Sequence, residues 1–138
     1  MSKSNAFETD FLGLIFTATT IPLVASGIAG SLWLSLHFAD PGEAGNQASS
    51  ESDYLNYARQ SVARTTAGWT VAGSAVTLTS SVSFPASSNV ASTLTHFAIG
   101  TVSAGSTSML FSGTVTPSIT VNTNVTPRLT TGTNVTED

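Results

Sequence analysis

Residues 31–43 read SLWLSLHFADPGE, and this stretch decides the fold class of the chain. Every second residue from Leu32 to Phe38 is apolar, and this period of two predicts a β-strand with one strongly apolar face. Trp33 on the other face indicates that this side is partly covered too. Asp40-Pro41-Gly42 then predicts a turn, because Asp can cap the backbone, Pro fixes φ and Gly permits positive φ.

A helix is predicted before this strand, over about residues 6–17. Asn5 and Glu8 have the spacing of a capping box, with Asn in place of Ser or Thr. Apolar residues then recur at helical spacing, and acidic residues in the first turn suit the helix dipole. A β-branched run before Pro22 is expected to end the helix.

Short β-branched or alternating runs follow the strand, at intervals of roughly 8–12 residues. We therefore predict a mainly β fold, an antiparallel β-sandwich or barrel-like domain with one N-terminal α-helix and an extended terminal arm. The domain is expected over residues 1–125 and the polar C-terminal arm over 126–138. The predicted runs are 54–63 (a helix or, preferred, a strand), 69–71, 75–84, 93–102, 108–115 and 118–124. The predicted core comprises Phe11, Leu14, Ile15, Leu32, Leu34, Leu36, Phe38, Val76, Leu78, Val82, Phe84, Phe97, Ile99, Leu110 and Phe111.

Charge is scarce in this chain of 138 residues. Only 9% of residues are charged, against about 25% in ordinary soluble domains. No charged residue occurs from Thr65 to Pro127. Two interpretations stay open: a Thr-rich β domain that is soluble through its hydroxyls, or a surface covered by another protein.

Several function classes are disfavoured by composition. Four basic residues and a formal net charge of -4 argue against a nucleic-acid partner. The absence of Cys excludes disulfides, thiol nucleophiles and Cys-based metal sites. The uncharged stretch 11–38 is interrupted by Ser, Thr, Gly and Pro, so we expect no membrane partner.

Candidate catalytic and ligand-binding residues are few. His37 and His96 are the only histidines, and both are expected to be structural. The carboxylates of residues 40–53 lack the spacing of a calcium loop and suggest a solvated acidic surface loop. Four aromatic residues could form a sugar platform, although packing is the preferred role: Trp33, Trp69, Tyr54 and Tyr57. No catalytic residue, cofactor or metal is predicted.

Five segments in order carry a family resemblance. They are LWLSLHFADPGE at 32–43, YAR at 57–59, VSFPA at 82–86, LTHFAI at 94–99 and MLFSG at 109–113. Together they resemble small tailed-bacteriophage virion structural proteins of the head-decoration or tail-fibre-like kind. The likeness covers about residues 5–125.

This resemblance implies a non-enzymatic virion protein. The preferred interpretation is a capsid decoration (cement) protein that binds the major capsid protein and copies of itself. It would lie on the capsid exterior, and in the host cytoplasm during assembly. The alternative is a structural protein of the tail, neck or tail fibre, and a more distant one is a module that binds host-surface glycans. The predicted interface residues lie at both chain ends and in the loop 41–53: Ser2, Lys3, Asn5, Pro41, Glu43, Glu51, Asp53, Asn122, Asn124, Arg128 and Leu129.

Overall fold

The computed structural model describes residues 4–20, 27, 30–89, 93–106 and 109–136. Within these residues it has one helix and nine strands, which form three sheets of order β2-β1-β6-β7, β3-β4-β9 and β5-β8. The elements are α1 (Asn5–Phe16), β1 (Ser31–His37), β2 (Gln60–Ala63), β3 (Trp69–Ala72), β4 (Ala75–Leu78), β5 (Val82–Ser83), β6 (Thr93–Gly100), β7 (Met109–Thr120), β8 (Arg128–Leu129) and β9 (Asn134–Thr136).

The prediction of a mainly β, antiparallel fold with one helix near the N-terminus is confirmed. β6 pairs with both β1 and β7, β4 pairs with both β3 and β9, and β5 pairs with β8, all antiparallel. No sheet closes into a barrel within the described part of the chain. The barrel-like alternative is therefore not supported, while a sandwich remains compatible with these sheets.

Helix α1 begins one residue earlier than the predicted span. The C=O of Ser4 accepts a hydrogen bond from the N–H of Glu8 at 3.0 Å. Ser4 thus occupies the capping position that we predicted for Asn5, because the capping residue is the one whose C=O accepts the first helical bond. The helix ends at Phe16, and Ala18 just beyond it has a positive φ of 54°.

Contacts within the chain divide it into two compact units. Unit 1 comprises Met1–Ser31, Val62–Ser81 and Thr130–Asp138, and unit 2 comprises Leu32–Ser61 and Val82–Leu129. The predicted boundary at residue 125 does not coincide with either unit. Each unit has buried apolar side chains of its own.

In unit 1, helix α1 packs against β3 and β4. Leu12 and Phe16, one helical turn apart, are fully buried. The ring of Phe16 meets that of Trp69 edge to face, with 4.7 Å between centroids. This apolar contact holds the helix on its sheet.

In unit 2, β1 is the strand that the opening sequence predicts, and it is buried on both faces. Leu34 and Leu36 are inaccessible to solvent on one face, and Ser35 and His37 are equally inaccessible on the other. β6 pairs with β1 along its length from Trp33 onward. The partial cover predicted for the second face is confirmed.

The turn after β1 forms as its sequence predicts. Gly42 has a φ of 72°, in the left-handed region that favours glycine. Its N–H donates to Oδ1 of Asp40 at 2.9 Å. The Asp side chain thereby closes the turn.

Eight of the fifteen predicted core residues are buried, and two are exposed. Phe38 is 42% exposed and Leu110 is 39% exposed. Phe38 lies just past the end of β1, and Leu110 lies on the outer face of β7, the last strand of its sheet. Five other predicted core residues are half-buried: Phe11, Leu14, Ile15, Val82 and Phe111.

Several strand boundaries differ from those predicted. Residues 54–59 are irregular, so the predicted strand 54–63 is reduced to β2. The predicted strand 75–84 is divided into β4 and β5, which belong to different sheets. The runs 108–115 and 118–124 merge into the single strand β7, which continues through Pro117. Proline is tolerated there because β7 is an edge strand, where one set of N–H groups has no ladder partner.

The segment predicted as a polar arm, 126–138, contributes two strands. β8 pairs with β5 through Leu129 and Val82, and β9 pairs with β4 through Val135 and Val76. Leu129 is only 3% exposed. Within this segment, Arg128–Leu129 and Asn134–Thr136 are therefore part of the sheets.

Candidate functional site

A buried polar cluster in unit 2 joins Gln47, Glu51, Tyr57 and Arg59, and we refer to it as the Arg59 cluster. The guanidinium of Arg59 binds the Glu51 carboxylate in bidentate fashion, with Nε–Oε1 and Nη2–Oε2 both at 2.7 Å. Its side chain is only 2% exposed. Hydrogen bonding to Glu51 raises the pKa of Arg59, so the guanidinium stays charged.

The remaining N–H groups of Arg59 bind loops on either side. Nη1 donates to Oε1 of Gln47 and to the C=O of Val102, both at 3.2 Å, and Nη2 donates to the C=O of Gly105 at 2.9 Å. A guanidinium has five N–H donors, and each of the five is therefore used within the protein. The cluster cross-links the loop after β1 to the loop after β6 and leaves Arg59 no donor for a ligand.

Tyr57 and Gln47 extend the cluster to strand β1. The Tyr57 hydroxyl donates to Oε1 of Glu51 at 3.0 Å and accepts the N–H of Leu36 at 3.0 Å. Gln47 Nε2 donates to the C=O of Trp33 at 2.6 Å. Burial raises the pKa of Tyr57, so its hydroxyl keeps its proton at neutral pH.

A glycine allows Gln47 to reach this position. A Cβ placed on Gly100 would lie 2.0 Å from Oε1 of Gln47. Any larger residue at position 100 would displace the amide that Arg59 binds. Gly100 is therefore required by the cluster.

His37 lies fully buried beside the cluster, in the structural role that the sequence predicts. Nδ1–H donates to the C=O of Ser49 at 2.8 Å, which leaves Nε2 to accept the Ser35 hydroxyl at 2.9 Å. Burial lowers the pKa of His37 below its ordinary value of 6.5, against an opposing effect of Ser49 and Glu51. The imidazole is therefore neutral in the folded protein near pH 7.

This burial predicts that acid destabilises the protein. Because the pKa of His37 is lowered on folding, the unfolded chain binds the extra proton as the pH falls through 6.5. The free energy of unfolding should then decrease between about pH 7.5 and pH 5, by at most about 1.4 kcal/mol per pH unit. Urea denaturation at several pH values measures this slope. His37→Gln should flatten it and His96→Gln should not, whereas an equal slope in both variants would contradict the assignment.

The second feature is a groove in unit 1, with a volume of about 340 Å³. Its lining is rich in threonine and includes the carboxylate-bearing Asp10 and the indole of Trp69. Trp69 is 2% exposed, and its Nε1 has no hydrogen-bond partner within the described part of the chain. The indole is packed against Phe16 and presents no ring face to a ligand.

Three of the four aromatic residues proposed as a sugar platform are used in packing: Trp69, Tyr54 and Tyr57. Tyr54 is 2% exposed, and its hydroxyl donates to the C=O of Pro85 at 2.8 Å. Burial raises the pKa of Tyr54 to about 12. Tyr57 stacks on Phe84 with 6.2 Å between ring centroids. Among the described residues, these rings support the preferred packing role.

The described residues show neither a metal centre nor a membrane helix. No three His, Asp or Glu side chains among them gather closely enough to hold an ion. In the same part of the chain, no helix has the length and apolar character needed to cross a bilayer.

The outer edge of β7 is the third feature, and it is a surface. β7 has twelve residues and is the last strand of the four-stranded sheet, paired with β6 on one side. Its exposure alternates, with Leu110, Ser112 and Thr114 exposed and the residues between them half-buried. Neither β6 nor β7 carries a charged side chain.

The structure separates the predicted interface residues into three groups. Pro41 and Leu129 are buried, and Glu51 is half-buried and paired with Arg59, so these three are held inside their own unit. Asn5 is the first residue of α1, while Ser2 and Lys3 lie outside the described residues. The exposed residues of the set are Glu43, Asp53, Asn122, Asn124 and Arg128.

Sequence reasoning missed the Arg59 cluster. It placed Glu51 in a solvated acidic loop and gave Arg59 no partner. The one signal in the sequence was the small number of basic residues, four in all, which makes each of them a candidate partner for a carboxylate. Arg59 follows Glu51 by eight positions. A spacing of eight in an irregular segment does not itself bring two side chains together, so only the folded loop reveals the pair.

Comparison with protein families identifies a match over nearly the whole chain. A family model described as "Podophage GP4 fiber I protein gp80" matches residues 2–136. The family is one of phage virion structural proteins, in agreement with the resemblance found in the sequence. No curated protein matches the chain.

Proposed function

We propose that this chain, which belongs to the podophage GP4 fiber I protein gp80 family, is a non-enzymatic structural component of a fibre attached to the phage particle. The observation that carries the proposal is the family match, because it covers residues 2–136 of the chain. It favours the tail-fibre alternative over capsid decoration, which the sequence analysis preferred. At either location, fibre or capsid exterior, the chain is a phage virion structural protein.

The chemistry of the described residues supports a structural role. All five donors of Arg59 bind within the protein. The buried His37 binds a serine hydroxyl and a backbone C=O and contacts no carboxylate through its ring nitrogens. Arg59 and His37 thus connect loops and strands.

The partners that fit this role are copies of the chain and other virion proteins. Strands rich in Ser and Thr can hydrogen-bond across an interface without burying charge, which is costly when unpaired. In the host cytoplasm the protein would be present during assembly, and afterwards it would be in the virion. A contact with the major capsid protein belongs to the less favoured decoration role.

Labelling of purified particles tests the proposal. A gold-labelled antibody raised against the chain should bind at the fibres. The number of labelled positions on each particle should match the number of its fibres. Removing the gene should yield particles whose fibres are missing or incomplete and whose heads remain intact. Label spread evenly over the head would support decoration instead, and absence of the protein from purified particles would refute both structural positions.

A further inference from the structure

We infer that two copies of this chain associate through their β7 strands, which pair antiparallel and join the two four-stranded sheets into one. This inference deepens the proposed function and rests on it, since a virion structural protein is present in several copies. The surface concerned is the outer edge of β7, defined here as the side of residues 109–116 that faces away from β6.

The first argument is the regular centre of this edge. Residues Phe111 to Thr114 pair with β6 in unbroken register from Ile99 to His96, and a register shift lies on either side. In an antiparallel pair, every second residue directs its N–H and C=O away from the partner strand. A long edge strand of this kind is a ready template for another strand.

The second argument is the lack of charge at this edge. Proteins commonly guard an exposed edge with charged side chains, Pro, β-bulges or a very short strand. β7 carries no charge, and its Pro117 and its register shifts lie outside Phe111 to Thr114. The central part of the edge is therefore left without a charge, a Pro or a bulge of its own.

The third argument identifies the occupant as a second copy. Each copy has a formal net charge of -4, so two copies repel one another wherever their carboxylates meet. The chain is uncharged from Thr65 to Pro127, and β6 and β7 both lie within that stretch. Contact between two β7 edges thus brings together the part of each copy where this repulsion is weakest.

A pairing register exists that places exposed residues opposite exposed ones and half-buried residues opposite half-buried ones. This register supports a second copy of the chain as the partner of β7. A twofold axis through Ser112 places Phe111 opposite Gly113 of the second copy, and both are half-buried. It places the exposed Ser112 opposite Ser112 of the second copy. An isologous contact of this kind uses the same patch on both copies and closes as a dimer.

Sedimentation of the purified full chain over a range of concentrations tests the inference. The unmodified protein should form a dimer. Ser112→Lys places two ammonium groups beside the axis and should weaken dimerisation by up to about fivefold, because like charges directly opposite destabilise a strand pair. The matched control is Ser61→Lys, an equal change at an exposed residue of β2, which should leave the dimer unchanged.

Hydrogen exchange provides a measurement that needs no variant. Backbone amides of residues 109–116 should exchange more slowly at concentrations where the dimer forms than at high dilution. A monomer at every concentration would overturn the inference, as would a dimer that Ser112→Lys leaves intact or that Ser61→Lys weakens equally. Pairing of β7 with a different virion protein would overturn it too, while leaving the fibre proposal standing. Gold labelling away from the fibres would fail the fibre proposal without affecting the dimer.

Discussion

Replacing Arg59 by alanine should lower the free energy of unfolding by about 3 kcal/mol, because it leaves a half-buried carboxylate without its partner. Glu51 would lose both of its 2.7 Å bonds to the guanidinium. The C=O groups of Val102 and Gly105 would lose their donor as well. Since ordinary domains are stable by only about 5–15 kcal/mol, such a loss removes a large share of the total. Chemical denaturation followed by circular dichroism measures it.

Arg128→Ala is the matched control for this substitution. Arg128 is exposed, and its Nε donates to the Ser83 hydroxyl at 3.1 Å. Its loss should change the free energy of unfolding by about 0.5 kcal/mol or less. Glu51→Ala should destabilise strongly, and the double variant should lose less than the sum of the two single losses, because the two side chains interact directly. Equal stability of Arg59→Ala and Arg128→Ala would show that the Arg59 cluster does not hold the loops.

The sequence predicts best the elements whose pattern is local and long. β1 has seven residues, enough for its period of two to be read directly, and α1 has three turns of helix. The turn at Asp40 to Gly42 depends on the chemistry of three adjacent residues, so it too follows from the sequence. In each of these elements, the residues that determine the structure are neighbours in the chain.

The elements that were missed depend on distant partners. β5 and β8 have two residues each, too few to show any hydrophobic period. They form because Val82 pairs with Leu129, which is distant in the sequence. β9 likewise forms because Val135 meets Val76. Pro117 suggests a break when it is read locally, whereas an edge strand accommodates it. These outcomes are set by pairing across the fold, which overrides local propensity.

The candidate site divides in the same way. The structural role of His37 could be predicted, because a histidine in a strand with no nearby carboxylate motif is seldom a ligand. The pairing of Glu51 with Arg59 could not be predicted, since both lie in irregular segments whose path depends on tertiary contacts. The sequence alone shows that the residues of β6 and β7 are uncharged. It does not show that β7 lies at the edge of a sheet. A neutral stretch becomes informative about interfaces once the strand order is known.

Truncation of residues 126–138 should unfold much of the protein, with a loss of free energy on the order of 5 kcal/mol or more. The segment supplies β8 and β9, so β5 loses its only strand partner in the described structure and β4 loses one of two. The truncation also removes Leu129, which is 3% exposed. Replacing a buried leucine by alanine alone lowers the free energy of unfolding by about 2–5 kcal/mol. Thermal denaturation followed by circular dichroism measures the loss.

Two point substitutions separate packing from polar contacts in this segment. Leu129→Ala should destabilise by about 2–5 kcal/mol, whereas Arg128→Ala, at the adjacent exposed position in the same strand, should have little effect. A deletion of Glu137 and Asp138 alone removes two carboxylates and neither strand, so the fold should be retained. If the longer truncation kept its native circular dichroism and melting temperature, residues 126–138 would act as the separate arm that composition suggests. In that case β8 and β9 would contribute nothing measurable to either sheet.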